Sequence, residues 1–296
     1  MGELSGKVAA ITGAGAGLGR RYALDFAREG AAVVVNDLNV TVEGDALGSD
    51  NAADVVAEIV AAGGHAVVNH ADVSDPEGAA SITRTAVESF GTIDILVNNA
   101  GVVIDAPVPR MSDAAFRKVI DVHLTGTFLV SREAFAHMAD HGGGAIVNTT
   151  SRSGVRGKST QANYSAAKGG IVAMTSTLAI EGDAFGIRAN TISPRFASRA
   201  WGDGRVTSSG VLTPEMRQFY TSDAAARVVL YLASDRSAAL SGRVLFASAD
   251  AIQEMRWTGA ETWVPGGNDW DLDDLEKAIA DGHVLFTEDS NLGRPI

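Results

Sequence analysis

Tyr164 and Lys168 stand four positions apart in the phrase Gln161-Ala-Asn-Tyr-Ser-Ala-Ala-Lys168, a spacing that puts both side chains on one face of a helix. A phenol in water releases its proton only near pH ~10, too high to exchange protons readily at neutrality. An ammonium one turn away stabilises the phenolate and brings that value toward the working range. Such a phenol can trade a proton with a substrate hydroxyl or carbonyl. Ser151 stands just after a short β-branched run, at the end of a strand where open α/β sheets place their ligands. Its hydroxyl is expected to hold and polarise the same substrate oxygen. Ser153 is a nearby competitor for that role, although serines in turns usually cap backbone.

A second cluster lies near the N-terminus. The turn Thr12-Gly13-Ala14-Gly15-Ala16-Gly17-Leu18-Gly19 follows an apolar run and precedes an alanine-rich stretch. Glycines there let backbone amides approach a pyrophosphate at the positive end of the next helix. Asp37, in Asn36-Asp37-Leu38, follows at close to the offset of about 20 residues expected of an acid that binds ribose hydroxyls. A carboxylate there repels a 2′-phosphate, and neither arginine nor lysine occurs at 14–16 or 36–42 to neutralise one. NAD(H) is therefore expected rather than NADP(H).

The elements that must carry these groups alternate. Strands are expected at Val8–Thr12, Ala32–Asn36, Ala66–Asn69, Ile93–Asn98, Ala145–Thr149, Arg188–Ile192 and Arg243–Phe246. Helices are expected at about Gly17–Glu29, Ala52–Ala62, Pro76–Phe90, Asp113–Ala139, Gln161–Phe185 and Ser222–Ser234. Seven strands separated by six helices imply one doubly wound α/β fold around a parallel sheet with right-handed crossovers. Ser112 is placed to cap the fourth helix, and Gly142 follows His137 and His141 at its end. Residues 1–248 read as one domain. Composition shifts after Ala249, where 249–296 hold Trp257, Trp263, Trp270 and the acidic run Asp269–Glu276; this reads as an extension packed on the domain.

Composition narrows the partners. Of 296 residues 46% are apolar and 20% charged, with a net charge of −12. Such a chain repels nucleic acid and anionic lipid. No apolar run is long enough to span a bilayer. The start, with Glu3 and Lys7 and no long apolar stretch, does not read as a secretory leader, so the cytoplasm is expected. There is no cysteine, hence no disulfide, thiolate ligand or thiol nucleophile. His137 and His141 stand four apart on a helix, but no third ligand is apparent, so no metal is expected.

Taken together, the glycine turn, Asn98-Asn99-Ala100-Gly101, Ser151 and the Tyr164/Lys168 pair resemble the short-chain dehydrogenase/reductase family at its usual spacing, over roughly residues 5–248. The resemblance implies a three-layer, Rossmann-like domain with a seven-stranded parallel sheet, usually a homotetramer or homodimer. It also implies hydride transfer between a nicotinamide cofactor and a secondary alcohol or ketone. Ser151 would polarise the carbonyl, Tyr164 would be the acid/base, and Lys168 would bind the nicotinamide ribose. Gly13, Ala16, Gly17, Leu18 and Gly19 would hold the pyrophosphate, with Asp37 and Leu38 at the adenosine ribose. Asp72 and Val73 would line the adenine, Asn99, Ala100 and Gly101 the middle of the cofactor, and Pro194 the nicotinamide edge.

Two positions depart from the family pattern. His123, in Asp121-Val-His-Leu-Thr-Gly-Thr127, replaces a usual asparagine, and Arg195 follows Pro194 in place of glycine. The family's asparagine is thought to hold a relay water with its backbone carbonyl, which any residue supplies. The His123 side chain is then either an extra proton shuttle in catalysis or a neutral, packed imidazole. His123, the ending Asn36-Asp37-Leu38, the loop Asn39–Asn51 and the phrase ending in Lys168 are similar to the branch containing the dehydrogenase part of peroxisomal multifunctional enzyme type 2 and its bacterial single-domain relatives. That likeness implies NAD and (3R)-hydroxyacyl-CoA substrates, with hydroxysteroids also in view. The mildly basic stretch Arg195–Arg217 would suit the phosphates of CoA, or its arginines would solvate a lid. Trp201, Phe219 and Tyr220 could line an acyl or steroid pocket. Two other readings compete: a 3-oxoacyl reductase acting on carrier-bound chains, which Asp37 disfavours, and a non-catalytic NAD(H) sensor, which has no need of Ser151, Tyr164 and Lys168.

Overall fold

Runs of alanine, valine and isoleucine without polar interruption are stable as strands only when both faces are covered. The chain meets that condition. The structure, a computed structural model, describes residues 2–39, 49–195, 222–249, 251–255 and positions 273, 274 and 277. Strands β1 (Val8–Thr12), β2 (Ala32–Asn36), β3 (His65–Asn69), β4 (Ile95–Asn98), β5 (Gly144–Thr149), β6 (Ile187–Pro194) and β7 (Val244–Ala247) pair in parallel. Their order is β3-β2-β1-β4-β5-β6-β7, so the winding reverses between β1 and β4, where such folds open a crevice beyond the carboxyl ends of the strands.

The pleat decides which helix layer each residue meets. Ala9, Ile11, Val33 and Val35 face a core shared with α1 (Gly17–Arg28), α2 (Asn51–Ala61) and α8 (Ser222–Ala233). Val8, Ala10 and Val34 face a second core shared with α3 (Pro76–Phe90), α4 (Asp113–Ile120), α5 (Gly126–Asp140) and α7 (Ala162–Gly182). The three layers expected from the sequence are present, and Ser112 caps α4 by accepting from the Ala115 N–H at 3.2 Å.

Four features differ from expectation. An eighth strand, β8 (Ile252–Glu254), runs antiparallel along β7, so the tail begins by covering an otherwise open sheet edge. The single helix expected over Asp113–Ala139 is two, α4 and α5, joined by a π turn at Asp121–Thr125. Apolar periodicity does not reveal one widened turn, because the flanking helices keep nearly the same face. Gly126 begins α5 where the helix crosses Val73 so closely that a Cβ would lie 2.9 Å from Val73 Cγ2. The helix expected over Gln161–Phe185 is shorter: α7 stops at Gly182, and a 3-10 turn over Asp183–Phe185 leads to left-handed Gly186 at φ +70°. A one-turn helix, α6 (Ser153–Arg156), was not foreseen.

Where the strands end, buried asparagines take over the cross-strand pairing. Asn36 and Asn69 are register partners on β2 and β3, and the Asn36 amide donates to Asn69 Oδ1 at 2.8 Å and to the Ala71 carbonyl at 3.0 Å. Asn98 and Asn148 are partners on β4 and β5. Asn98 Nδ2 donates to Asn148 Oδ1 at 2.8 Å and Ser131 Oγ at 2.9 Å, and Asn148 Nδ2 donates to Thr175 Oγ1 at 2.9 Å. This latch ties the sheet to α5 and α7 just below the crevice. Asn148→Ala leaves a buried amide donor without one partner, and should cost about 1–3 kcal/mol; a urea midpoint lowered accordingly, with unchanged slope, is the expected result.

Candidate active site

The start of α7 is held by Asn163, which is fully buried. Its amide donates to the Ile104 carbonyl at 2.9 Å and the Ala115 carbonyl at 3.3 Å, while its oxygen accepts from the Tyr164 N–H at 2.7 Å. The helix is thereby pinned to the loop after β4 and to α4. One turn on, Lys168 passes under α6: a Cβ on Gly154 would lie 2.6 Å from the Lys168 carbonyl carbon, and Thr150 Oγ1 donates to the Lys168 carbonyl at 2.7 Å. Gly154 on α6 and Gly169 on α7, where a Cβ would come 2.9 Å from the Gly154 carbonyl oxygen, let the two segments touch backbone to backbone.

Lys168 is 3% exposed, and its Nζ donates to the Thr149 carbonyl at 2.6 Å. Burial disfavours the charged form and pulls the amine down to about 7. Nζ lies over the Tyr164 ring, 5.6 Å from its centroid, so the two groups share one face as the helical spacing predicts. The expected effect on the phenol is not met in the chain alone. Tyr164 is raised above its ordinary value, chiefly by burial, with the Asp105 carboxylate adding to it; a hydrogen bond from Ser151 pulls the other way. The ammonium faces the ring and the Thr149 carbonyl, which limits what it does for the phenolate.

Of the two serines, Ser151 is the one that acts on the Tyr164 phenol, while Ser153 is engaged elsewhere. Ser153 Oγ is buried and donates to Gln161 Oε1 at 3.3 Å, and its N–H donates to Ser151 Oγ at 3.2 Å. Gln161 in turn donates to the Asp105 carboxylate at 3.1 Å. This chain from Asp105 to Ser153 braces the Ser151 turn, and neither Asp105 nor Asn163 was singled out from the sequence. A polar residue next to the tyrosine in an alanine-rich helix was the available signal for Asn163.

The glycine turn lies at the switch point beside β4. Gly13 is left-handed at φ +63°, and a Cβ there would come 2.8 Å from Ala100 Cα; a Cβ on Gly19 would come 2.1 Å from the Gly13 carbonyl oxygen. Asn99 secures the turn, its amide donating to the Thr12 and Gly13 carbonyls at 3.0 and 3.1 Å. Ala16 offers no side-chain cap to α1, so the first turn of α1 begins without a side-chain acceptor for its amides, as an anion site requires. Asp37 Oδ2 accepts from the Gly15 N–H at 2.8 Å, and Oδ1 accepts from the Asn39 N–H at 2.8 Å, which draws the carboxylate onto the turn. These features fit a dinucleotide.

The remaining expected contacts are less uniform. Val73 is buried against Gly126, and Leu38 is exposed. The Asp72 carboxylate accepts from the Ser74 N–H and hydroxyl at 2.8 and 2.6 Å, so it closes a turn. Pro194 ends β6 in register with Ala247. His123 lies in the π turn, 4% exposed, with its ring edge-on to Tyr164. Gly101 adjoins it. The stretch from Phe196 to Arg217 with Trp201, Phe219 and Tyr220, residues 40–48 of the long loop, and the tail tryptophans lie outside the described residues. Among the described residues no cluster of three metal-ligating side chains exists, and no helix is long and apolar enough to cross a membrane; His137 and His141 stack on each other at 3.9 Å.

Known proteins are similar to this chain. The chain is 42% identical over 255 residues to peroxisomal multifunctional enzyme type 2 of Mus musculus, covering 86% of this chain and 33% of the mouse protein, so it spans about a third of that relative. It is 37% identical over 296 residues to a hydroxyacyl-CoA dehydrogenase of Mycobacterium tuberculosis, covering 94% of this chain and 89% of that protein. The crystal structure of a short chain dehydrogenase from Mycobacterium avium superimposes with a TM-score of 0.82 at 36% identity, over 95% of both chains. The family described as short chain dehydrogenase matches residues 7–199. The chain belongs to the short-chain dehydrogenase family of oxidoreductases.

Proposed function

We propose that the protein is an NAD(H)-dependent dehydrogenase of secondary alcohols, with 3-hydroxyacyl-CoA thioesters as its foremost substrate class and hydroxysteroids as a second. The observation that carries this reading is the meeting of Ser151, Tyr164 and Lys168 at one mouth of the sheet. Bound in the crevice, oxidised nicotinamide supplies the hydride acceptor and a positive charge. Ser151 holds the substrate oxygen and polarises it. Tyr164 accepts the hydroxyl proton as the carbinol hydride departs, and returns it in the reverse direction. Lys168, whose Nζ lies over the phenol ring, would hold the nicotinamide ribose.

The chain's own residues leave the phenol raised. Stabilising its anion therefore depends on charge brought in with the cofactor, which couples proton transfer to a correctly loaded site. The carboxylate of Asp37, drawn onto the glycine turn, supports NAD over NADP and weighs against a reductase for carrier-bound chains. Acyl-CoA specificity is supported by likeness to relatives named as hydroxyacyl-CoA dehydrogenase and multifunctional enzyme. The same reading takes 1–248 as one domain with 249–296 as its extension, a homotetramer or homodimer, in the cytoplasm.

A panel of alcohols, hydroxysteroids and hydroxyacyl-CoA thioesters with NAD, followed by absorbance of the reduced cofactor, tests the substrate class. Tyr164→Phe should lower kcat by about 10²–10⁴-fold with NADH binding nearly unchanged in a fluorescence titration. Asp37→Ala should narrow the preference for NAD over NADP in kcat/KM by about tenfold or more, since a like-charge contact is removed. Lys168 gives a pH signature without turnover. Its value of about 7 in the folded chain lies below the ordinary 10.5, so between these the unfolded chain binds more protons and stability rises with pH. Below pH 7 the burial cost is present in full. Cofactor-free Lys168→Met should therefore exceed wild type in stability by a few kcal/mol at pH 6 and lose that advantage by pH 10, read from urea midpoints.

A further inference from the structure

His123 makes three contacts that converge on the reacting groups. Its Nε2 lies 2.8 Å from the Val102 carbonyl oxygen and 3.1 Å from the Val102 nitrogen. One ring nitrogen serves only one of these at a time, and the shorter contact is donation from Nε2–H to the carbonyl. The Cε1 edge lies against Gly101, where a Cβ would approach to 2.2 Å. The ring also meets Tyr164 edge to face, at 5.2 Å between centroids and 88° between planes. Nδ1 is buried and has no hydrogen-bond partner.

We propose that His123 is a positioning residue for the reaction: held as the Nε2–H tautomer, its ring clamps the Gly101–Val102 backbone against the Tyr164 ring and keeps the cofactor-facing turn in register with the acid/base. The proposal rests on the dehydrogenase reading above. The π turn is the device that delivers the ring, since it swings His123 out of an ordinary helical position between α4 and α5. Gly101 completes the fit, because any side chain there would occupy the ring's place. The charged or titratable groups facing the imidazole are Lys168 and Tyr164. Burial and the Lys168 charge hold it down to about 3, against a small upward pull from Val102, so it stays neutral throughout the working range and does not shuttle protons. An asparagine amide could serve Val102 but would present no ring to the phenol.

The test combines a spectrum with a mutant cycle. In ¹⁵N-labelled wild type, the His123 ring nitrogens should report a neutral Nε2–H imidazole unchanged from pH 5 to 9; titration within that range, or an Nδ1–H form, overturns the proposal. His123→Ala should lower kcat by about 10–100-fold and weaken NADH binding, and His123→Asn should recover NADH binding more fully than kcat. Gly101→Ala should reproduce the Ala defect, and the double variant should be no worse than the poorer single one. Strictly additive losses, or His123→Ala with wild-type kcat and NADH affinity, contradict it. The spectrum and NADH titration need no turnover, so they stand even if every alcohol in the panel proves inert, an outcome that would count against the dehydrogenase reading alone.

Discussion

Lys168 brings a primary amine into the wall between α7 and β5, where it is almost wholly buried, and the carbonyl of Thr149 receives its hydrogen bond at 2.6 Å. Burying an amine is costly unless it is hydrogen-bonded. That cost constrains the neighbourhood. The Thr149 carbonyl must stand at the end of β5, and α7 must lie close enough for a four-carbon side chain to reach it. Gly154 makes that approach possible, and Thr150 ties the lysine's own carbonyl to the strand end. Tyr164, one turn earlier, is then carried to the same mouth, and Ser151, two residues beyond Thr149, meets it.

The consequence for chemistry is a division of labour between chain and cofactor. Apolar packing around Tyr164 favours the neutral phenol, and Ser151 supplies the opposing hydrogen bond. A site poised in this way is reluctant to release the proton until further positive charge arrives. The glycine turn has the features that suit negative charge: uncapped amides at α1 and a close approach at Gly13 and Gly19, with the Asp37 carboxylate drawn onto it through the Gly15 N–H. Asn99 and Thr12 hold this turn to β4, which links both halves of the crevice at the point where the winding reverses.

Much of this was legible from the linear chain because it depends on local periodicity and on residue type. The boundaries of β1, β2 and α3 coincide with those read from apolar runs and from Pro76. That Tyr164 and Lys168 share a helix face, and that Asp37 lies beside the glycine turn, followed from residue type and spacing, and the structure brings these groups together as expected. The asparagine latches were not legible in this way. Asn36, Asn69, Asn98 and Asn148 look like ordinary strand-end polar residues until the register pairs them.

What the sequence determined by itself was the alternation of strand and helix, the place of the glycine turn, and the residues able to move a proton, since each follows from neighbours a few positions away. Tertiary structure alone decided the rest. The π turn at Asp121–Thr125 arises where α4 and α5 pass over Gly101 and Val73, contacts between segments far apart in the chain. The same is true of β8 on the sheet edge and of the brace from Asp105 through Gln161 to Ser153. Even the direction in which Tyr164 is perturbed came from enclosure: spacing shows that an amine is near, but only the packed site shows that burial outweighs it.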